Sequence, residues 1–162
     1  MKKAIIPLLL LLSLVVGCDN NDKTVNVIND LSENKQEEIK ILLTDIFNTA
    51  KKKNMDKLDS FHLSGPKFSK FGGGIPGRQD YETMTKFERE GFTQVFNEFN
   101  FKLQDTKVDI FDDVAIATFI LDFNYLMEND STIYKKKRFS MVFVQDSEQW
   151  KIVHEHSSPF IE

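Results

Sequence analysis

Trp150-Lys151-Ile152-Val153-His154-Glu155-His156-Ser157-Ser158 is the stretch on which the fold turns. A strand alternates its side chains between two faces. On that period Trp150, Ile152, His154 and His156 share one face, and Lys151, Val153, Glu155 and Ser157 share the other. Upstream, Phe99–Leu103, Val108–Phe111, Val114–Leu126 and Thr132–Val144 alternate in the same way, with some fully apolar stretches. Asp112-Asp113, Asn129-Asp130 and Asp146-Ser147 supply the turns between them. Strands joined by such short turns pair antiparallel. Val114–Phe123 is apolar at nearly every position. In a sheet covered by helices on one face, that pattern asks for a partner such as a twin subunit on the other.

Before Gly91 the period is helical. Asn34 with Glu37 makes a capping box, and Ile39, Leu42, Leu43, Ile46, Phe47 and Ala50 follow as one apolar stripe. Lys51-Lys52-Lys53 closes this helix with charge suited to a C-terminus. A short second helix is expected from Asn54 to Phe61, with Met55, Leu58 and Phe61 inward, and Asp80 caps a third that runs to about Gly91. Between them, residues 62–77 read as a long loop whose Phe68 and Phe71 dip into the core. Gly72, Gly74 and Gly77 satisfy the dinucleotide spacing, but no apolar strand precedes them, Pro76 interrupts them and no βαβ unit surrounds them. Helices first and strands afterwards give an α+β domain.

The N-terminus is of a different kind. Lys2 and Lys3 precede an apolar run, Ala4–Val16, that is too short to span a bilayer and has the charged and hydrophobic regions of an export signal. Leu14-Val15-Val16-Gly17-Cys18 has the form of a lipobox, in which the cysteine is acylated and becomes the mature N-terminus. Cys18 is the one cysteine of the chain, so no internal disulfide is available and lipidation by palmitate-type chains is its simplest role. The expected organisation is a signal peptide at 1–17, a flexible tether at 18–33 rich in Asn, Asp, Ser and Lys, and a folded domain at 34–162. The expected address is the cell envelope, lipid-anchored to a membrane. Asp19 resembles the inner-membrane retention signal of enteric bacteria, but other bacteria sort by other rules, so both membranes stay open. When Lys2 and Lys3 leave with the signal, the 21 basic residues fall to 19 against 25 acidic ones. That balance repels phosphate backbones and excludes nucleic acid as a partner.

The helix order, His62 with Pro66-Lys67-Phe68 and Phe71, Asp113-Val114-Ala115-Ile116-Ala117 and above all Trp150–Ser158 resemble the NTF2-like superfamily, and within it the SnoaL-like group. The last strand also resembles the association domain of calcium/calmodulin-dependent kinase. The resemblance implies a cone: three N-terminal helices packed on a strongly curved antiparallel β-sheet, a pocket between them, and homodimers formed through the sheet's outer face. The family hosts isomerases, dehydratases, cyclases and oligomerisation hubs, so it does not fix an activity.

Candidate pocket residues follow from chemistry. His154 and His156 share a face and titrate near neutral pH, suiting an anion or a proton relay. Asp122 and Tyr125, with Tyr134, are the residue types of an isomerase base and oxyanion hole. Arg138 suits an acidic ligand, and Phe71 an apolar one. A metal would need a third ligand from distant His62 or a carboxylate, so neither metal nor cofactor is expected. Two functions remain: non-catalytic binding of a small apolar or anionic ligand or a protein partner, and a small lyase or isomerase. The 15 phenylalanines, able to plug a pocket, favour the first.

Overall fold

The computed structural model describes residues 21–127 and 129–161. The leader and Cys18 lie outside the described residues. Helix α1 covers Asn21–Lys51. It therefore starts well before the Asn34 capping box, and most of the segment expected as a flexible tether is helical. No glycine or proline lies between Asn21 and Lys51, and once a helix is nucleated each further residue adds a hydrogen bond. Ile39, Leu43, Ile46, Phe47 and Ala50 are buried along one stripe as their spacing predicts. The Trp150 indole N–H donates to Glu38 Oε2 at 3.3 Å, pinning the stripe to the sheet's edge of the core.

Helix α2, Met55–Ser60, is capped by Asn54, and helix α3, Tyr81–Glu90, by Asp80, whose carboxylate accepts from the Thr83 N–H at 2.8 Å. The Arg89 guanidinium on α3 reaches Asp59 Oδ2 through its Nε at 3.0 Å and Asp56 Oδ1 at 2.7 Å, tying the two helices together. One turn of π-helix, Gly91–Val95, then carries the chain into the sheet.

The segment between α2 and α3 is not the irregular loop its glycines and prolines suggest. It forms a hairpin of β1, Ser69–Gly72, and β2, Ile75–Gln79. The long strands follow as β3, Phe96–Phe111, β4, Val114–Met127, β5, Thr132–Asp146, and β6, Gln149–Pro159. The sheet order is β2-β1-β6-β5-β4-β3. It is mixed rather than wholly antiparallel, because β1 lies parallel to β6 with Lys70 opposite Glu155. The two strand segments read before Asp112 are one strand, bulged between Gln104 and Lys107, with Asp105 at φ 50°.

Along β4 the inner face carries Ala115, Ala117, Phe119 and Leu121, all buried, followed by Phe123 and Tyr125. On β5 it carries Met141 and Phe143. Phe47 reaches from α1 into rings from three strands: Phe101 at 5.4 Å, Phe119 at 5.8 Å and Phe139 at 6.3 Å between centroids. These phenylalanines pack α1 against the sheet. The apolar outer face of β4 is partly open, with Ile116 36% exposed beside Val142 on β5.

Candidate functional site

The last strand decides what faces the cavity. On β6, Ile152 pairs with Phe143 while His154 pairs with Val142, so Val153 is an extra residue. A bulge puts two residues opposite one and resets the alternation. Trp150 and Ile152 point inward, but beyond the bulge it is Glu155 that is buried, and His156 is exposed. The expectation that His154 and His156 continue the face of Trp150 is corrected by this one residue.

Glu155 stands at the centre of a closed chain of charges. Its Oε1 meets His62 Nε2 at 3.0 Å, and its Oε2 accepts from Lys70 Nζ at 2.5 Å. Lys70 Nζ also donates to Glu88 on α3. The other His62 nitrogen, Nδ1, lies 3.1 Å from the Leu58 carbonyl oxygen, which can only accept. With a carboxylate on one side and a carbonyl on the other, the site favours the imidazolium, in which both ring nitrogens donate. Burial opposes the charged form of His62. The hydrogen bond to Glu155 and the charges of Glu155 and Glu88 outweigh burial and the repulsion of Lys70, raising its pKa above 6.5. Burial likewise opposes the Lys70 ammonium, yet Glu155 and Glu88 hold it above its ordinary range. Burial would raise the Glu155 carboxyl, but Lys70 and His62 hold it well below the usual carboxylate range. The Lys70 ammonium and the Glu155 carboxylate are thus each favoured in the charged form.

A group whose pKa is raised on folding stabilises the fold fully below its unfolded value, and that contribution is lost as pH rises through the folded value. The urea midpoint should therefore decline as pH climbs upward from about 6.5, the ordinary value for His62. His62→Gln should flatten this limb of the profile, and an unchanged slope in that variant would exclude His62 as its source.

This chain of charges forms the throat between two cavities. The inner, about 140 Å³, is lined by Phe47, Leu121, Phe139 and Met141 among others. The outer, about 490 Å³, is walled by Phe87, Phe92, Phe96, Phe123, Tyr125 and Met127, with Lys135 and Lys137 on β5. Lys70, Glu88, Phe92 and Phe123 border both. The outer volume lies in the range of small-molecule sites.

Of the residues expected to form a pocket, the structure brings only Tyr125 to these two cavities. Asp122 faces the outer surface, where Gln104 Nε2 donates to it at 3.4 Å. Arg138 also faces outward, its NH1 donating to the Pro159 carbonyl at 3.2 Å and its plane 4.7 Å from the Phe160 centroid. Phe71 is on the far side of β1 from Lys70, with Arg78 5.4 Å over its ring and His154 at its edge, 6.4 Å between centroids. His154 Nδ1 shares a hydrogen bond with Ser69 Oγ at 2.9 Å. Tyr134 is 72% exposed. Among the described residues no His, Cys, Asp or Glu group could hold a metal ion. Sequence reading missed Lys70, Glu88, Lys135 and Lys137 and put Glu155 on the wrong face. A signal for Lys135 and Lys137 was present, since they keep the period of two that leads to Phe139, Met141 and Phe143.

Helices packed into a bent six-stranded sheet, closing a cone around a blind cavity, define the NTF2-like fold. Within it the chain belongs to the SnoaL-like domain family, whose family description matches residues 39–162. No curated protein sequence matches the chain significantly. Solved structures similar to it include a proposed dehydratase of the NTF2-like family from Streptomyces avermitilis, with a TM-score of 0.71 and 16% identity over 80% of this chain and 99% of that one. A proposed scytalone dehydratase from Novosphingobium aromaticivorans has a TM-score of 0.70 and 11% identity over 86% and 89%. The association domain of CaMKII from C. elegans has a TM-score of 0.65 and 16% identity over 80% and 98%. At such identities the likeness is one of fold.

Proposed function

We propose that this SnoaL-like domain is a lipid-anchored envelope protein that binds a small molecule in its cone without transforming it. The observation that carries the binding reading is the state of the throat: Glu155 is engaged by both His62 and Lys70, and Lys70 by Glu88 as well. A general acid or base needs a pKa near the working pH and a free position toward the substrate. Here Glu155 and Lys70 are driven away from neutrality, and both His62 nitrogens are engaged. The lyase or isomerase alternative loses its carboxylate base with Asp122 on the outer face. The cavity itself, with its aromatic walls, is open to a ligand.

Anchoring rests on Gly17-Cys18 in the sequence. Among the described residues no helix is long and apolar enough to cross a membrane. A twin subunit on the outer face of β4, around Ile116, completes the proposal, in keeping with one similar fold being an association domain.

Native mass spectrometry of protein released gently from the membrane tests the binding role and should find a co-purified small molecule. An empty cavity, together with turnover of a hydroxylated polycyclic substrate, would reverse the reading toward a dehydratase. Cys18→Ser should abolish palmitate labelling and release the protein from the membrane fraction. Labelling that persists in this variant rules out Cys18 as the anchor.

A further inference from the structure

The outer cavity carries a charge that its own walls do not neutralise. Five charged residues line it: Lys70, Glu88, Glu90, Lys135 and Lys137. Lys70 and Glu88 are consumed by the throat. Among the described residues neither Lys135 nor Lys137 has a carboxylate within ion-pair distance, and Glu90 sits exposed at the rim. Both lysines are inward positions of β5: Lys135 pairs across the strands with Phe123, and Lys137 with Leu121 on one side and Pro159 on the other. Lys137 is half-buried. Burial, together with the charges of Lys70 and Lys135, pushes its ammonium down from the ordinary value, so a bound anion would relieve a repulsion already present.

The remaining walls are mainly aromatic. Phe96 and Tyr125 lie with centroids 4.2 Å apart and planes at 36°, and Tyr125 continues to Phe123 at 6.2 Å and 29°. The three rings form a continuous aromatic wall along β3 and β4. Phe92 stands edge-on to it, 5.7 Å from Phe96, and Phe87, 41% exposed, stands at the mouth. Planar rings take up offset or edge contacts with such walls, which suits an aromatic body.

We infer that the ligand of this cavity is a small planar aromatic anion, its rings on the Phe96–Tyr125–Phe123 wall and its carboxylate or equivalent acid group on Lys137 and Lys135. This deepens the binding reading and rests on it. It assigns Lys137 a role that neither the family nor the closed charge chain requires. The anionic group lies beside the throat rather than in it, so binding leaves the four internal ion-pair partners in place.

The test uses the full chain carrying Cys18→Ser, titrated calorimetrically with 2-naphthoate, 2-naphthol and 2-naphthylmethylammonium. Naphthoate should bind more tightly than both analogues and weaken as salt is raised. Lys137→Gln should weaken naphthoate about tenfold or more while leaving naphthol unchanged, and Lys137→Arg should retain it. Lys135→Gln, at a more exposed position, gives a second reading with a smaller loss in the same direction. Naphthol binding as well as naphthoate, or naphthoate unaffected by both glutamine substitutions, overturns the anion while the binding role stands. Failure of all three probes to bind, with no co-purified ligand, overturns the anion and the binding role together.

Discussion

Glu155→Ala should cost the domain about 3–5 kcal/mol of folding stability, since it leaves Lys70 and His62 buried without their common carboxylate. Chemical denaturation at neutral pH measures this as a drop in midpoint at unchanged slope. The buried ion pair itself need not be worth that much, because desolvation of its members nearly offsets their attraction. Lys70→Met combined with Glu155→Leu should therefore lose less than the sum of the single losses, a coupling that a double-mutant cycle reads directly. Additive losses would mean that the charges do not act as a unit. Acid gives an independent signature. A carboxyl whose pKa is lowered on folding contributes above its unfolded value, near 4.5, and the contribution is lost as pH falls toward the folded one. Glu155→Ala should thus narrow the gap to the wild type as pH falls below about 4.5.

Gly72→Val is expected to cost on the order of 3 kcal/mol, from clash and backbone strain together. A Cβ at this position would lie 2.3 Å from Ser157 Oγ and 2.8 Å from the Ser157 carbonyl oxygen, and the residue sits at φ +115°. The clash falls where β1 runs beside β6, so relief means parting the strands that hold Lys70 against Glu155. Gly74→Ala supplies the comparison. Its φ is +90°, yet nothing lies within 4 Å of an added Cβ, so only the strain of about 1 kcal/mol remains. Equal losses at the two positions would show that close packing against Ser157 does not matter.

Most of the architecture was legible because it rests on periodic signals. The α1 stripe from Ile39 to Ala50, the Asp80 cap and the hairpin turns at Asp112, Asp130 and Ser147 appear where spacing and turn chemistry put them. The β1–β2 hairpin was not legible, because Gly72-Gly73-Gly74 and Pro76 carry the composition of a loop and its strands are held by β6, far away in sequence. The N-terminal turns of α1 were hidden behind polar residues that read as a tether. For the site, the balance reverses. Tyr125 was chosen for its type, and it reaches the outer cavity because it lies on the inner face of β4. His154, His156, Asp122, Arg138 and Phe71 were chosen for chemical type, and type says nothing about which side of a sheet a residue faces. Lys70 and Glu88 meet only because α3 and β1 are brought together by the fold.

The extra residue Val153 exists only in relation to β5, whose Val142 and Phe143 leave no place for it. Two sequences identical from Trp150 to Ser158 can therefore offer opposite chemistry to a ligand. With a bulge the interior receives an acid, and with an even pairing it receives two imidazoles. In this protein the electrical character of the pocket is written partly on a neighbouring strand, at Val142 and Phe143, which line neither cavity. Relatives are best compared by how the two strands count against each other, not by the letters of either one.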